Sequence, residues 1–227
     1  AMNGAPRSAG ELAPAIKGTK VAEAGGLEQA MLLGALLDAR GLGPVTYGVD
    51  EEAPDAATDI ARRRYVVKTE TSAWLTTDGA ILSESIRALN EAELLANQLA
   101  WRALAELSRE DLAAASKASQ IARSLAPQDA AVLFVAGQVQ VLGGLAEPGI
   151  STMERAAGIA NDSRTWFALG VMSAEANQPF KARQYLLRSA ETSKHAEPHL
   201  LLAQLALERL ATTPKEGHDA LIEEAKG

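Results

Sequence analysis

From residue 91 onward, apolar and small positions fall in register at a fixed interval. Ala103, Gly137, Gly170 and Ala203 stand 34, 33 and 33 residues apart. Ala115, Gly149 and Ala182 lie twelve residues beyond the first three, and Ala122, Ala156 and Ser189 nineteen beyond. Four residues ahead of the same column stand Leu99, Leu133, Trp166 and His199, mostly large and apolar. A small residue lets two helices cross closely, and a large one a turn away packs the same face. Intervals of this length mark stacked helix pairs, none of which can bury its apolar face alone. The pattern predicts an all-α chain: a solenoid of antiparallel helix pairs over residues 91–227, in about four units.

Breakers fall where that period needs them. Ser108-Arg109-Glu110-Asp111, Gly143-Gly144 and Asn177-Gln178-Pro179 supply turns inside the pairs. Ala126-Pro127-Gln128-Asp129, Asn161-Asp162-Ser163 and Glu197-Pro198 supply caps and stops between them. The fourth unit departs, because Ala211 to Gly217 lengthens its turn and displaces its second helix to about residues 218–226. Residues 1–10 read as a flexible lead-in, with Ala1 ahead of Met2 as an expression remnant. Residues 11–90 read as a divergent, mainly helical N-terminal cap. Gly26 to Gly41 forms one apolar helix closed by glycine, and the residues from Ile81 lead as helices into the repeats. Asp59–Lys68 is open between helix and, over Tyr65–Thr71, a short strand.

The segment Thr165-Trp166-Phe167-Ala168-Leu169-Gly170, followed by Ala182 and Leu186, resembles the tetratricopeptide (TPR) repeat, and Pro127 falls where that family often places a proline. Arg102 and Gly149 depart from its usual apolar and alanine positions. The resemblance implies a right-handed solenoid whose first helices line a concave groove. Carried over position by position, it turns inward Ala100, Leu104 and Leu107; Phe134, Gln138, Val141 and Leu142; Phe167, Val171, Ala174 and Glu175; and Leu200, Gln204, Leu207 and Glu208. The candidate peptide-binding residues are thus Ala100, Leu104, Phe134, Gln138, Val141, Phe167, Val171, Glu175, Leu200 and Gln204. This lining is apolar with amides and lacks the Lys, Arg and Asn with which TPR modules grip acidic tails.

Composition then narrows the function classes. The chain holds 46 Ala and 30 Leu among 227 residues, no Cys, and a formal net charge of −7. Ala and Leu favour helices. Without Cys there is no disulfide framework, thiolate metal site or cysteine nucleophile. The acidic balance argues against unspecific binding to nucleic acid or anionic membranes, and no apolar run reaches the roughly 18 residues of a membrane span. No phosphate-binding loop or nucleophile elbow is present. His195 and His199 have metal-compatible spacing, but Pro198 between them breaks the shared helix face, so they are expected in an inter-repeat turn. Asp50 to Asp55 reads as a solvated loop and Arg62-Arg63-Arg64 as an exposed charged face. Trp166 and Trp74 are expected to pack.

The expected function is a non-enzymatic scaffold or adaptor that binds an apolar or amphipathic protein segment in its groove, within a bacterial multi-protein assembly. It needs neither cofactor nor metal. The alternatives are a secretion or export chaperone holding a cognate polypeptide, an oligomerising module, and an enzyme with its site in residues 11–90. The compartment stays open between the bacterial envelope, facing the periplasm, and the cytoplasm, since a native signal or anchor can lie ahead of residue 1.

Overall fold

The computed structural model describes residues 26–50, 63–76, 81–192 and 196–212. Their elements run α1 (Gly26–Ala39), β1 (Val45–Asp50), β2 (Tyr65–Thr69), β3 (Ile86–Ala88), α2 (Glu91–Ser108), α3 (Leu112–Leu125), α4 (Ala130–Leu142), α5 (Ala146–Ala160), α6 (Ser163–Glu175), α7 (Pro179–Thr192) and α8 (Glu197–Thr212). The fold is mostly helical, with neighbouring helices packed on one another. Residues 1–10 and the second helix expected at about 218–226 lie outside the described residues.

Helices α2 and α3, α4 and α5, and α6 and α7 form pairs joined by three-residue turns. Each turn holds one residue in the left-handed region: Glu110 (φ 62°), Gly144 (φ 82°) and Asn177 (φ 56°). Each stands seven residues beyond its small-column residue, so the turns repeat with the period of the small positions. Side chains cap the helix starts at Asn90, Asp111, Asp129 and Asp162, where an oxygen accepts backbone N–H groups that lack intrahelical partners.

The small residues sit where the pairs touch. A Cβ on Gly137 would collide with the Met153 side chain and lie 2.7 Å from the Gly149 carbonyl oxygen, and one on Gly149 would lie 2.6 Å from Val141. Residues 137 and 141 thus meet 153 and 149, an antiparallel register. A Cβ on Gly170 would meet Leu186 at 2.7 Å. Ala103, Ala115, Ala122, Ala156, Ala182 and Ser189 are all buried. In α2 and α3 the core is largely alanine: Ala96, Ala100, Ala103, Ala115, Ala118 and Ala122 pack with Val132, Val135 and Val139 of α4. On its other side α4 joins a cluster of Leu133, Phe134, Ile150, Met153, Trp166 and Leu169. A helix apolar around its whole circumference belongs inside, and α4 fits that rule.

The N-terminal region corrects the mainly helical expectation. Its described part is one helix on a three-stranded antiparallel sheet of order β2-β1-β3. Leu27, Ala30, Leu33 and Leu37 of α1 cover Val49, Tyr65, Val67 and Leu89. The helix ends as expected, with Gly41 at φ 69° and the Leu42 N–H donating to the Leu37 carbonyl. Tyr65–Thr69 resolves as strand, paired with β1 from Val45↔Thr69 to Val49↔Tyr65. The helix expected from Ile81 is instead β3, paired Gly48↔Ala88 to Asp50↔Ile86, and helix begins only after the Asn90 cap. Pairing with β1 decides this segment, since three residues carry too short a pattern to do so. Trp74 packs against Gly48, where a Cβ would lie 2.8 Å from its ring, with the Lys68 ammonium 4.6 Å from the ring centre.

Candidate functional site

The predicted binding residues divide by burial. Ala100 is fully buried in the alanine core, and Phe134 is only 4% exposed, enclosed between α4 and its neighbours. Neither lines an open surface, which corrects their assignment to the groove. The cause is the all-round burial of α4, which a repeat-by-repeat projection does not see. Leu104, Gln138, Val141, Phe167 and Val171 are half-buried, with Leu104 and Val141 packed against the cores. Glu175 and Gln204 are exposed, and Gln204 donates to Glu208. Leu200 and Leu207 are 67% and 66% exposed, and Leu142 is 59% exposed. Leu200, Ala203, Gln204 and Leu207 share one outward face of α8, so the last small-column residue faces outward where its three predecessors face a second helix.

A second feature escaped the sequence reading. Where the sheet meets the helices, the structure encloses a cleft of about 610 Å³. Val49 and Arg87 come from the sheet, Arg63 from just before β2, and Asn90 and Glu93 from the start of α2. Leu125 to Ala130, running through the α3–α4 connection, and Ile159 and Ala160 from the end of α5 complete it. On its wall Arg63, 6% exposed, donates through Nη1 to both carboxylate oxygens of Asp129 (2.9 and 2.8 Å) and to Asn97 Oδ1 (2.8 Å). Tyr65 Oη donates to the same Asn97 oxygen at 2.8 Å, and Asn97 Nδ2 donates to the Glu93 carbonyl. Asp129 also accepts the Ala131 and Val132 N–H groups at the start of α4. Arg87 bonds Glu93 at 2.6 Å and lies 3.6 Å from Asp129.

This network corrects two readings of charge runs. Arg63 is buried against Asp129 and Arg64 is half-buried, bonding Asp50 at 3.3 Å, so two of the three arginines are not a solvated face. Asp50 is itself buried at the end of β1, accepting from the Ser83 amide and hydroxyl. Residues 51–55 lie outside the described residues. Asp129 was legible as a helix cap, but its buried partner was not, because 66 residues separate the two. Burial pushes the Tyr65 phenol well above its ordinary range.

Trp166 is buried and stacks on Tyr185 with ring centres 6.0 Å apart. His199 is exposed on α8, and His195 and His218 lie outside the described residues. Among the described residues no three His, Cys, Asp or Glu side chains gather as metal ligands, and no helix is long and apolar enough to cross a membrane. No family model matches the chain, and no curated protein is found similar to it.

Proposed function

We propose that the chain is a TPR-like scaffold, a right-handed solenoid of helix pairs that holds an apolar or amphipathic polypeptide segment and catalyses no reaction. The repeated left-handed turn residue and the small residues at the pair contacts support the solenoid reading. One observation carries the functional reading. Phe167 and Val171 of α6 stay partly open to solvent, while Leu200 and Leu207 of α8 are two-thirds exposed. Large apolar side chains at helical spacing cost free energy in water and gain it when a partner covers them, about 25 cal/mol per Å² buried. Gln204 on the same face of α8 offers an amide to a partner backbone, as does Gln138 of α4 in the groove the resemblance implies, and the absence of lysine or arginine at these positions disfavours an acidic tail. The partner belongs to a bacterial multi-protein assembly.

Selection of peptides from a random displayed library tests this, followed by rebinding to Val171→Glu and Leu200→Glu. Both positions are open enough to keep the helical circular dichroism of the parent. The enriched peptides are expected to carry an apolar stripe and to lose at least about tenfold in affinity on each variant, as anchors at an interface centre do. Peptides that bind both variants as tightly as the parent refute the assignment.

A further inference from the structure

The cleft between sheet and helices contains a guanidinium only partly used. Among the described residues every hydrogen bond of Arg63 runs through Nη1, to Asp129 and Asn97, and its buried Nε–H has no partner. A buried donor left unpaired forfeits the hydrogen bond it would make to water, so such a group marks a place for an acceptor. Nε–H and one Nη2–H form the side edge of the guanidinium, two parallel donors spaced for the two oxygens of one carboxylate or phosphate. The cleft volume of about 610 Å³ lies within the range of small-molecule sites. Arg87, on the same cleft wall, brings a second guanidinium, and Asn90 and Gln128 bring polar groups.

We propose that this cleft binds a small oxyanion-bearing ligand, whose carboxylate or phosphate oxygens accept from the Nε/Nη2 edge of Arg63 with Arg87 as the second cation. The proposal is independent of the apolar face on α6 and α8. Two carboxylates already answer the two guanidiniums there: Glu93 bonds Arg87, and Asp129 bonds Arg63. A bare anion therefore enters a site near neutrality and binds weakly, with Kd on the order of 1 mM. Fixed donors favour an anion with two oxygens, one for each parallel N–H, over chloride, whose single centre must be shared between the two in bent, weaker bonds.

The test reads the arginine Nε–H resonances of the full chain by heteronuclear NMR, with Arg63 assigned through its bonded Cδ. Formate and inorganic phosphate are titrated separately, with sodium chloride at equal ionic strength as reference. A saturable movement of the Arg63 resonance with either anion, at clearly lower concentration than any movement with chloride, supports the site. The anion that saturates at lower concentration distinguishes a carboxylate from a phosphate ligand. No movement of that resonance, or an equal movement of all arginines with every salt, overturns it. Arg63→Lys keeps a cation for Asp129 but lacks the side edge, so it is expected to abolish anion stabilisation in a thermal melt. Should that variant not fold, Arg87→Gln is expected to raise Kd at least about tenfold in the same titration, one lost charge-assisted bond being worth about that factor. An unchanged Kd there refutes the second cation.

Discussion

At Gly137 helices α4 and α5 leave no room for a methyl group, because the obstruction includes the Gly149 carbonyl, backbone that cannot rotate away. Gly137→Ala is therefore expected to cost about 1–3 kcal/mol, the usual range for overpacking. Gly158, exposed in the last turn of α5, has nothing within 4 Å of the point where an alanine methyl would stand, so Gly158→Ala is expected to gain about 0.4–1 kcal/mol. Urea midpoints at constant slope check both, and equal effects would refute the packing argument. The three tyrosines carry a pH signature. Burial raises all three phenols, and Tyr185 reaches about 12, by burial first and the nearby Glu154 carboxylate second. Unfolded phenols ionise near pH 10, so the folded chain holds these protons longer. Their contribution is complete below pH 10 and is lost as pH rises through the folded values. Phenolate absorbance is expected to show a step near pH 10 in urea and a step displaced to higher pH in the native chain. The small residues were legible in sequence because steric need recurs at one interval, whereas the partner of Arg63 left no periodic trace.

Helix ends were the best-read elements, since their signals are local: an Asn or Asp cap, a Gly or Asn turn. The turns also contain one poor choice. Glu110 occupies a left-handed conformation that Gly144 and Asn177 take at the equivalent points of the next two pairs. A side chain with a Cβ is disfavoured there by roughly 1–2 kcal/mol. Glu110→Gly is expected to raise stability by about 0.5–1 kcal/mol after the unfolded-state entropy of glycine is subtracted. A lower urea midpoint would show that Glu110 makes a compensating interaction. Strand β3 was misread because its identity lies outside itself. Ile86-Arg87-Ala88 can follow either period, and only the ladder to Gly48, Val49 and Asp50 settles it.

Across the whole molecule, the buried Arg63–Asp129 pair joins the sheet region to the start of α4. Removing one member leaves a charge without its counterion, commonly a loss of about 3–5 kcal/mol. Asp129→Asn retains a capping side chain yet removes that counter-charge, so it separates the two roles. Hydrogen exchange is expected to quicken first in β2 and β1, while amides of α6 and α7 keep parental protection. Uniform quickening throughout the chain would mean that the pair supports one indivisible unit. The helical stack was readable because its contacts lie close in sequence, whereas the cleft was not, because it joins residues from 49 to 160. The same separation has a consequence during synthesis. Arg63 leaves the ribosome 66 residues before Asp129. At about 5–20 residues per second, that is a wait of roughly 3–13 s. The nascent sheet must spend this interval with its arginine hydrated, so the N-terminal region closes only after the following helices have emerged.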